Sequence, residues 1–300
     1  MKHLSTIAAY NKEIRVPPPK HPEFLARTFE ENMQTVKEKL EPVRHEFYSI
    51  GLLIDGTSNV WHGIADMKAN IIFNSPYQVI SWDIVPDWHG YYVMFSQDFL
   101  MNCHFGSRLL LDFPFLTLDQ VQPINVPKEN QEFLKRKFEQ ILEEYNSDHA
   151  DKFLFIESYL NLLLLSIKRF SQHSQSTFTA SEQNRSADLL LLSRYQTLIE
   201  THFSTNEILP EYFATSHYAE LLSIHPNHLN AITKRITGNT AKQIIQNKIL
   251  HIAKSLLLQT ELSIKEIAYK LGYEETAHFN NFFKKATDTS PLQFRQAAKR

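Results

Sequence analysis

The sequence predicts an α+β chain of two domains, with a small β-barrel or sandwich and adjoining helices in residues 1–170 and an all-α domain in residues 187–300. Three observations predict it. Between Val43 and Val126, short runs rich in aromatic and β-branched residues alternate with turn signals. After Pro127, apolar residues recur at helical spacing. Toward the C-terminus, one helical unit occurs twice. With 300 residues and 43% hydrophobic content, the chain can bury a core in each of two domains.

The β-rich part reads EFYSIGLLI, SNVWHGI, IIF, QVISW and YYVMF, separated by Asp55-Gly56, Asn74-Ser75-Pro76 and Trp88-His89-Gly90. A helix follows near residues 129–145, where Phe133, Leu134, Phe138, Ile141, Leu142 and Tyr145 form one stripe; the stripe predicts dimerisation through Phe133 to Tyr145. A second helix over 151–170 is apolar on nearly all sides through YLNLLLLSI, which implies burial on more than one face, either in the chain's own core or against a second subunit. The polar stretch SQHSQSTFTASEQNRS, residues 171–186, is a linker candidate.

Several functions are disfavoured by composition. There is no G-x-G-x-x-G and no G-x-x-x-x-G-K-[ST] loop, so dinucleotide and P-loop chemistry are not expected. Cys103 is the single cysteine, which excludes an intrachain disulfide and fits a reducing compartment. The N-terminal residues lack the apolar core and cleavage site of a signal peptide, and the most apolar stretch, Tyr159 to Ile167, is about half the roughly 20 residues of a membrane span. A cytoplasmic protein with no membrane partner is expected. Residues 187–300 carry 13 Lys+Arg against 10 Asp+Glu, net +3, whereas the remainder carries 18 against 23, net −5. That asymmetry hints at a polyanion partner for the C-terminal part.

The duplication is the strongest signal. YAELLSI (Tyr218 to Ile224) aligns with IAYKLGY (Ile267 to Tyr273) at an offset of 49, and LNAITKRITGNTAKQIIQ (Leu229 to Gln246) aligns with FNNFFKKATDTSPLQFRQ (Phe279 to Gln296) at an offset of 50. Two helix-turn-helix units are implied, near 215–236 and 263–286. In the second, Ser263-Ile-Lys-Glu266 is a capping-box pattern, Ile267, Ala268 and Leu271 form an inward stripe, and Gly272 can take the left-handed conformation that ends the helix. Phe279, Phe282 and Phe283 belong on the buried side of the next helix. Thr276, His278, Asn280 and Asn281 are exposed polar positions suited to base edges, and Lys284 and Lys285 suit phosphates. Any two-helix unit has a polar outer face, so this face alone does not establish DNA binding. The connector adds weight: Thr240 to Leu258 reads as one amphipathic helix of about 28 Å, which would hold two recognition helices near successive major-groove faces of double-stranded DNA.

These residues carry a resemblance. AKSLLLQTELSIKEIAYKLGYEETAHFNNFFKKATDTSPLQFRQ resembles the second helix-turn-helix and signature region of the AraC/XylS family of bacterial transcription regulators, and YAELLSIHPNHLNAITKRITGNTAKQIIQNKI resembles the first. The resemblance implies DNA-facing residues at Pro226, Asn227, His228, Asn230 and Ala231 in the first unit and at Thr276, His278, Asn280 and Asn281 in the second; Lys234, the repeat counterpart of Lys284, joins Lys284 and Lys285 in the expected DNA-binding set. Ala231 and Asn281 stand where the family often has Arg, and Asp288 replaces the usual Gly of the TGxSP turn.

In that family an N-terminal cupin-like barrel commonly senses a small molecule, and VRHEFYSIGLLIDG with YYVMFSQDFL is similar to its opening and closing strands. The His-x-His pair of metal-dependent cupins is missing: Val43-Arg44-His45 offers one His, and His62, His89 and His104 do not supply the spacing. No metal, no cofactor and no catalytic residues are expected; His225-Pro-Asn-His228 has no third ligand nearby. Effector-pocket candidates are Phe47, Tyr48, Trp61, Trp82, Trp88 and Tyr92, with Arg44, His45 or His62 orienting a polar group, although most of these could equally fill the core. The expected function is a homodimeric, sequence-specific regulator that answers to a small-molecule effector and, as an activator, contacts RNA polymerase. The alternatives are a ligand-independent regulator with a scaffold barrel, or a cupin enzyme with a helical interaction module.

Overall fold

The computed structural model describes residues 2–56, 70–103, 112–116, 124, 126–174, 187–205 and 208–298. Trp61, His62 and the SNVWHGI run lie outside the described residues, as do His104 and most of the linker candidate. Contacts divide the chain into two compact units, Met1–Phe99 with Phe113–Arg185 and Leu100–Asp112 with Ser186–Arg300.

The first unit is built on two sheets. One has the order β1-β3-β6, from Lys2–Leu4, Lys39–His45 and Val79–Asp83. The other has the order β2-β7-β4-β5, from Phe24–Thr28, His89–Ser96, Phe47–Asp55 and Ile71–Asn74, and is antiparallel throughout. β1 runs parallel to β3, Lys2 opposite Val43, while β3 and β6 are antiparallel with a register shift between Leu40 and Val43, at Pro42, which has no N–H for the ladder. Helices α1 (Ile7–Glu13) and α2 (Glu30–Met33) lie along the sheets. Tyr10 of α1 packs edge-on against Phe47 and Trp82, one from each sheet, at ring-centroid distances of 5.1 and 6.4 Å. A short helix, α3 (Gln97–Asn102), follows β7.

Helix α4 (Lys128–Asn146) starts directly after Pro127, as the sequence predicts, and α5 (Lys152–Ser174) packs along it. The α4 stripe is not left free for a partner. Leu134, Phe138, Ile141 and Tyr145 are buried inside the chain, where α4 meets α5, β2 and β7, and only Phe133 of the stripe is exposed. The outer side of α5 is the exposed apolar surface instead: Leu154, Phe155, Leu162 and Leu165 are each 46–61% exposed, while Ile156, Leu160, Leu163, Leu164 and Ile167 are fully buried. Within this chain, then, α5 buries one face rather than several. Its last turn also takes in Ser171 to Ser174, residues the sequence assigns to the linker.

The second unit is helical. α6 (Ala187–Phe203) leads to a 3₁₀ turn at Pro210–Phe213, and the two helix-turn-helix units follow as α7 (Thr215–Leu221) with α8 (Pro226–Thr237) and α10 (Ile264–Lys270) with α11 (Thr276–Thr287). Between them runs α9 (Ala241–Gln259), unbroken over 19 residues; α12 (Pro291–Ala298) closes the chain. Among the described residues no helix is long and apolar enough to cross a membrane.

Candidate functional site

Local chemistry fixes each recognition helix. Ser263 and Glu266 form the predicted capping box, with the Ser263 N–H donating to Glu266 Oε2 at 2.7 Å and the Glu266 N–H donating to Ser263 Oγ at 3.2 Å. The Ser263 hydroxyl and then the Ser263 N–H, both interacting with the charged form, hold the Glu266 carboxyl below its ordinary pKa. Thr240 and Gln243 form the same box at the start of α9. At the start of α8, His225 Nδ1 accepts from the Asn227 N–H at 3.2 Å, which gives the His225-Pro-Asn-His228 motif a capping use.

The repeat extends to backbone conformation. Ser223 (φ 56°) and Gly272 (φ 78°) occupy equivalent left-handed turns between the two helices of each unit. Gly238 (φ 77°) and Asp288 (φ 59°) are equivalent left-handed caps at the ends of α8 and α11. Each copy thus has one glycine and one side-chain-bearing residue in this region. At Gly272 a Cβ would approach the Ile208 carbonyl and the Phe213 ring at 3.1 Å, so a side chain there would crowd its neighbours as well as strain the backbone; at Gly238 nothing lies within 4 Å.

The core of the second unit sets the outward face. Ile267, Ala268, Leu271, Phe279 and Phe283 are fully buried against Ala253 and Leu257 of α9, with Phe283 edge-on to Phe294 at 5.4 Å. Burying each phenylalanine is worth about 1.5–3 kcal/mol. That packing leaves His278, Asn280, Asn281, Lys284 and Lys285 exposed on α11, with Thr276 half-buried at its first turn. His278 Nε2 lies 3.7 Å from Glu275. On α8, Asn227, His228, Ala231 and Lys234 are exposed, Pro226 is half-buried as the first helical residue, and Arg235 pairs with Asp188.

Asn230 is placed differently. It is half-buried, and its Oδ1 accepts from the Ala241 N–H at 3.1 Å; the Ala241 carbonyl accepts from the Tyr195 hydroxyl at 2.8 Å. α6, α8 and α9 are clasped at one residue. In the second copy Ala241 is replaced by Pro291, which has no N–H to offer, and Asn280 stays exposed. A second clasp is ionic: Lys248 Nζ of α9 meets Glu200 Oε2 of α6 at 2.6 Å, both groups buried. Burial drives the Glu200 pKa up and Lys248 opposes it. Sequence reasoning passed over this pair because nothing in a helical period marks which lysine faces inward.

Among families, a model described as a helix-turn-helix domain matches residues 218–297. The C-terminal domain is of the AraC/XylS helix-turn-helix type. The bifunctional transcriptional activator/DNA repair enzyme AdaA of Bacillus subtilis is 36% identical over 81 residues, which is 27% of this chain and 38% of AdaA. The xylose operon regulatory protein of Escherichia coli K12 is 37% identical over 76 residues, 25% of this chain and 19% of that protein. These curated relatives are therefore matched over less than half of their length. Among solved structures, the C-terminal domain of AraT, a response regulator from Geobacillus stearothermophilus, is 31% identical, covering 37% of this chain and 88% of that one with a TM-score of 0.33. The AraC/XylS-type domain thus accounts for α7 to α12 and leaves the first unit to be read from its own residues.

That unit contains a cavity of about 90 Å³ lined from both sheets. Of the candidates named from the sequence, Trp82, Trp88 and Tyr92 line it; Phe47, Tyr48 and His45 are buried in the core, and neither they nor Arg44 line this cavity. Tyr48 stacks on Phe95 at 5.5 Å and His45 lies 4.5 Å from the Phe47 ring. Phe29, which the sequence reading missed, joins the wall by stacking on Tyr92 at 5.1 Å. Gly51 makes room for it, since a Cβ there would meet the Phe29 ring at 3.0 Å. Among the described residues no cluster of His, Cys, Asp and Glu is suited to hold a metal ion.

Proposed function

We propose that this chain is a sequence-specific, DNA-binding transcription regulator whose first unit is a cupin-like sensing module. The observation that carries the reading is the doubled recognition surface: two equivalent helices, α8 and α11, each presenting exposed polar and cationic residues, the first packed on α9 and the second sharing a hydrophobic core with the far end of that same helix. Asn227, His228, His278, Asn280 and Asn281 meet base edges; Lys234, Lys284 and Lys285 meet phosphates. The first unit, two sheets around an aromatic cavity, holds a small-molecule effector. An effector acts by binding one arrangement of the protein more tightly than another. The regulator works in the cytoplasm as a homodimer and, where it activates, contacts RNA polymerase.

The test is selection of bound sequences by the full chain from a random DNA pool at near-physiological salt. A motif of two elements about one helical turn, roughly 10 base pairs, apart is expected. His278→Ala should relax the motif at one position, whereas Lys284→Ala should weaken all sequences alike and lower the salt slope by about one. Absence of any enriched motif would sink the reading in favour of an interaction scaffold.

A further inference from the structure

The cations on the two recognition helices are not all engaged alike. On α8, Asn227, His228, Ala231, Lys234 and Arg235 are exposed along one side, with Ile232 and Ile236 buried on the other. At about 100° per residue, Arg235 lies roughly 40° from Ala231 at the centre of the exposed side, nearer the centre than Lys234 or His228 at roughly 60°. It belongs to the recognition face. The repeat agrees, since Arg235 aligns with Lys285 of α11 at the same offset that aligns Lys234 with Lys284. The contacts expected from sequence include Lys285 and omit Arg235.

Of these four cations, Arg235 alone is held by a carboxylate among the described residues. Its Nη2 donates to Oδ2 of Asp188, in the first turn of α6, and both side chains reach water, Arg235 at 60% and Asp188 at 35% exposure. Lys234, Lys284 and Lys285 are exposed and form no ion pair among the described residues. The positive end of α6 favours an anion at Asp188, which anchors the carboxylate beside α8.

An exposed ion pair contributes little to stability. Its position gives it another use. Side chains on an α-helix lean toward the N-terminus, so Arg235 leans over Ala231, whose methyl leaves room for it on the recognition face. Carboxylate and phosphate oxygens suit the same planar guanidinium fork, and the one in hand excludes the other. DNA that takes the guanidinium also leaves the Asp188 carboxylate unpaired near a polyanion.

We propose that Arg235 is a further phosphate-contacting residue of α8 and that Asp188 competes with DNA for it, so that the second unit carries its own brake on affinity. This rests on the DNA-binding reading and adds to it the pair that sets how tightly the first helix-turn-helix holds the backbone.

The experiment measures binding of the full chain to two duplexes, one selected from the random pool and one of scrambled sequence, between about 50 and 200 mM salt. Arg235→Ala should weaken binding to both and lower the salt slope by about one, so that the loss is about threefold larger at the low-salt end. Arg235→Lys, which keeps the charge, should keep most of the slope. Asp188→Asn should tighten binding about two- to fivefold, the scale of an exposed ion pair. The double variant decides: with Arg235 already replaced by Ala, Asp188→Asn should change affinity by less than about 1.5-fold. Melting temperatures check that each variant is folded. If Asp188→Asn tightens binding equally in both backgrounds, the carboxylate acts only as a distant charge and the proposal falls. It also falls if Asp188→Asn leaves affinity unchanged, or if Arg235→Ala alters neither affinity nor salt slope while the chain still binds DNA; the DNA-binding reading then stands. Should the chain bind neither duplex, that reading fails and the proposal goes with it.

Discussion

At Asp288 a side-chain-bearing residue is held at a φ of 59°, where its counterpart Gly238 sits at 77° without strain. The cap itself is sound, since the Asp288 N–H donates to the Lys284 carbonyl at 2.8 Å. Replacing Asp288 by Gly should therefore stabilise the protein by about 0.5–1 kcal/mol, read as a raised urea midpoint at unchanged m-value. Gly238→Ala should move the midpoint the other way, although no atom stands in the path of its Cβ. The buried Lys248–Glu200 pair makes a larger prediction. Lys248→Met leaves a carboxylate buried without its cation and should cost about 3–5 kcal/mol, most of which returns when Glu200→Leu is combined with it. If the double variant were as unstable as the single one, the pair would not be the cause.

Elements were legible in the sequence where the signal is local. Ser263 and Glu266 announce the start of α10 three residues apart, Pro127 announces α4, and the aromatic runs of β4, β5, β6 and β7 alternate or fill both faces as strands do. β1, β2 and the first part of β3 lie outside the β-rich stretch that the sequence marks from Val43. β1 is three residues long and is a strand only because Lys2 lies opposite Val43, across a sequence separation that no periodicity reports. β3, KLEPVRH, reads as polar and broken because Pro42 sits at its bulge. The candidate site divides the same way. The exposed residues of α8 and α11 follow from helical spacing, whereas the engagement of Asn230 depends on where Ala241 arrives in three dimensions.

Packing between elements also gives a pH response. His202 on α6 stacks on Tyr212 at 4.3 Å and lies 5.2 Å from His217 on α7, and the buried atoms His202 Nδ1 and His217 Nε2 have no hydrogen-bond partner. Burial, and then the neighbouring His217, push the His202 pKa below its ordinary 6.5, with Glu211 opposing. The unfolded chain therefore takes up this proton first. Stability is full above pH 6.5 and falls as pH drops from 6.5 to the lowered value of the folded state. Melting temperature should be lower at pH 5.5 than at pH 7.5, and His202→Phe, which keeps the stack on Tyr212, should flatten that difference. An unchanged slope in the variant would assign the response to other groups, His21 first, whose pKa is also lowered by burial.

For the whole molecule, the proposed homodimer is tested at the exposed outer side of α5. Leu162 and Leu165 lie on it, at 46% exposure each, and neither supports the chain's own core. Leu162→Asp combined with Leu165→Asp should leave the melting temperature nearly unchanged and convert a sedimenting dimer to monomer at micromolar concentration. A wild-type chain that already sediments as a monomer removes the homodimer from the functional reading.

Under the proposed function, the asymmetry between Asn230 and Asn280 would reach the DNA itself. In the first copy that amide binds the protein's own backbone at Ala241; in the second, Pro291 leaves it available. Two halves of one operator would then be read with unequal acuity. The half beneath α11 should carry more information per base pair, and the half beneath α8 should tolerate more substitutions. A regulator of this build would find its sites by one sharp half and accept variation in the other, so that the operators it controls would differ mainly on one side.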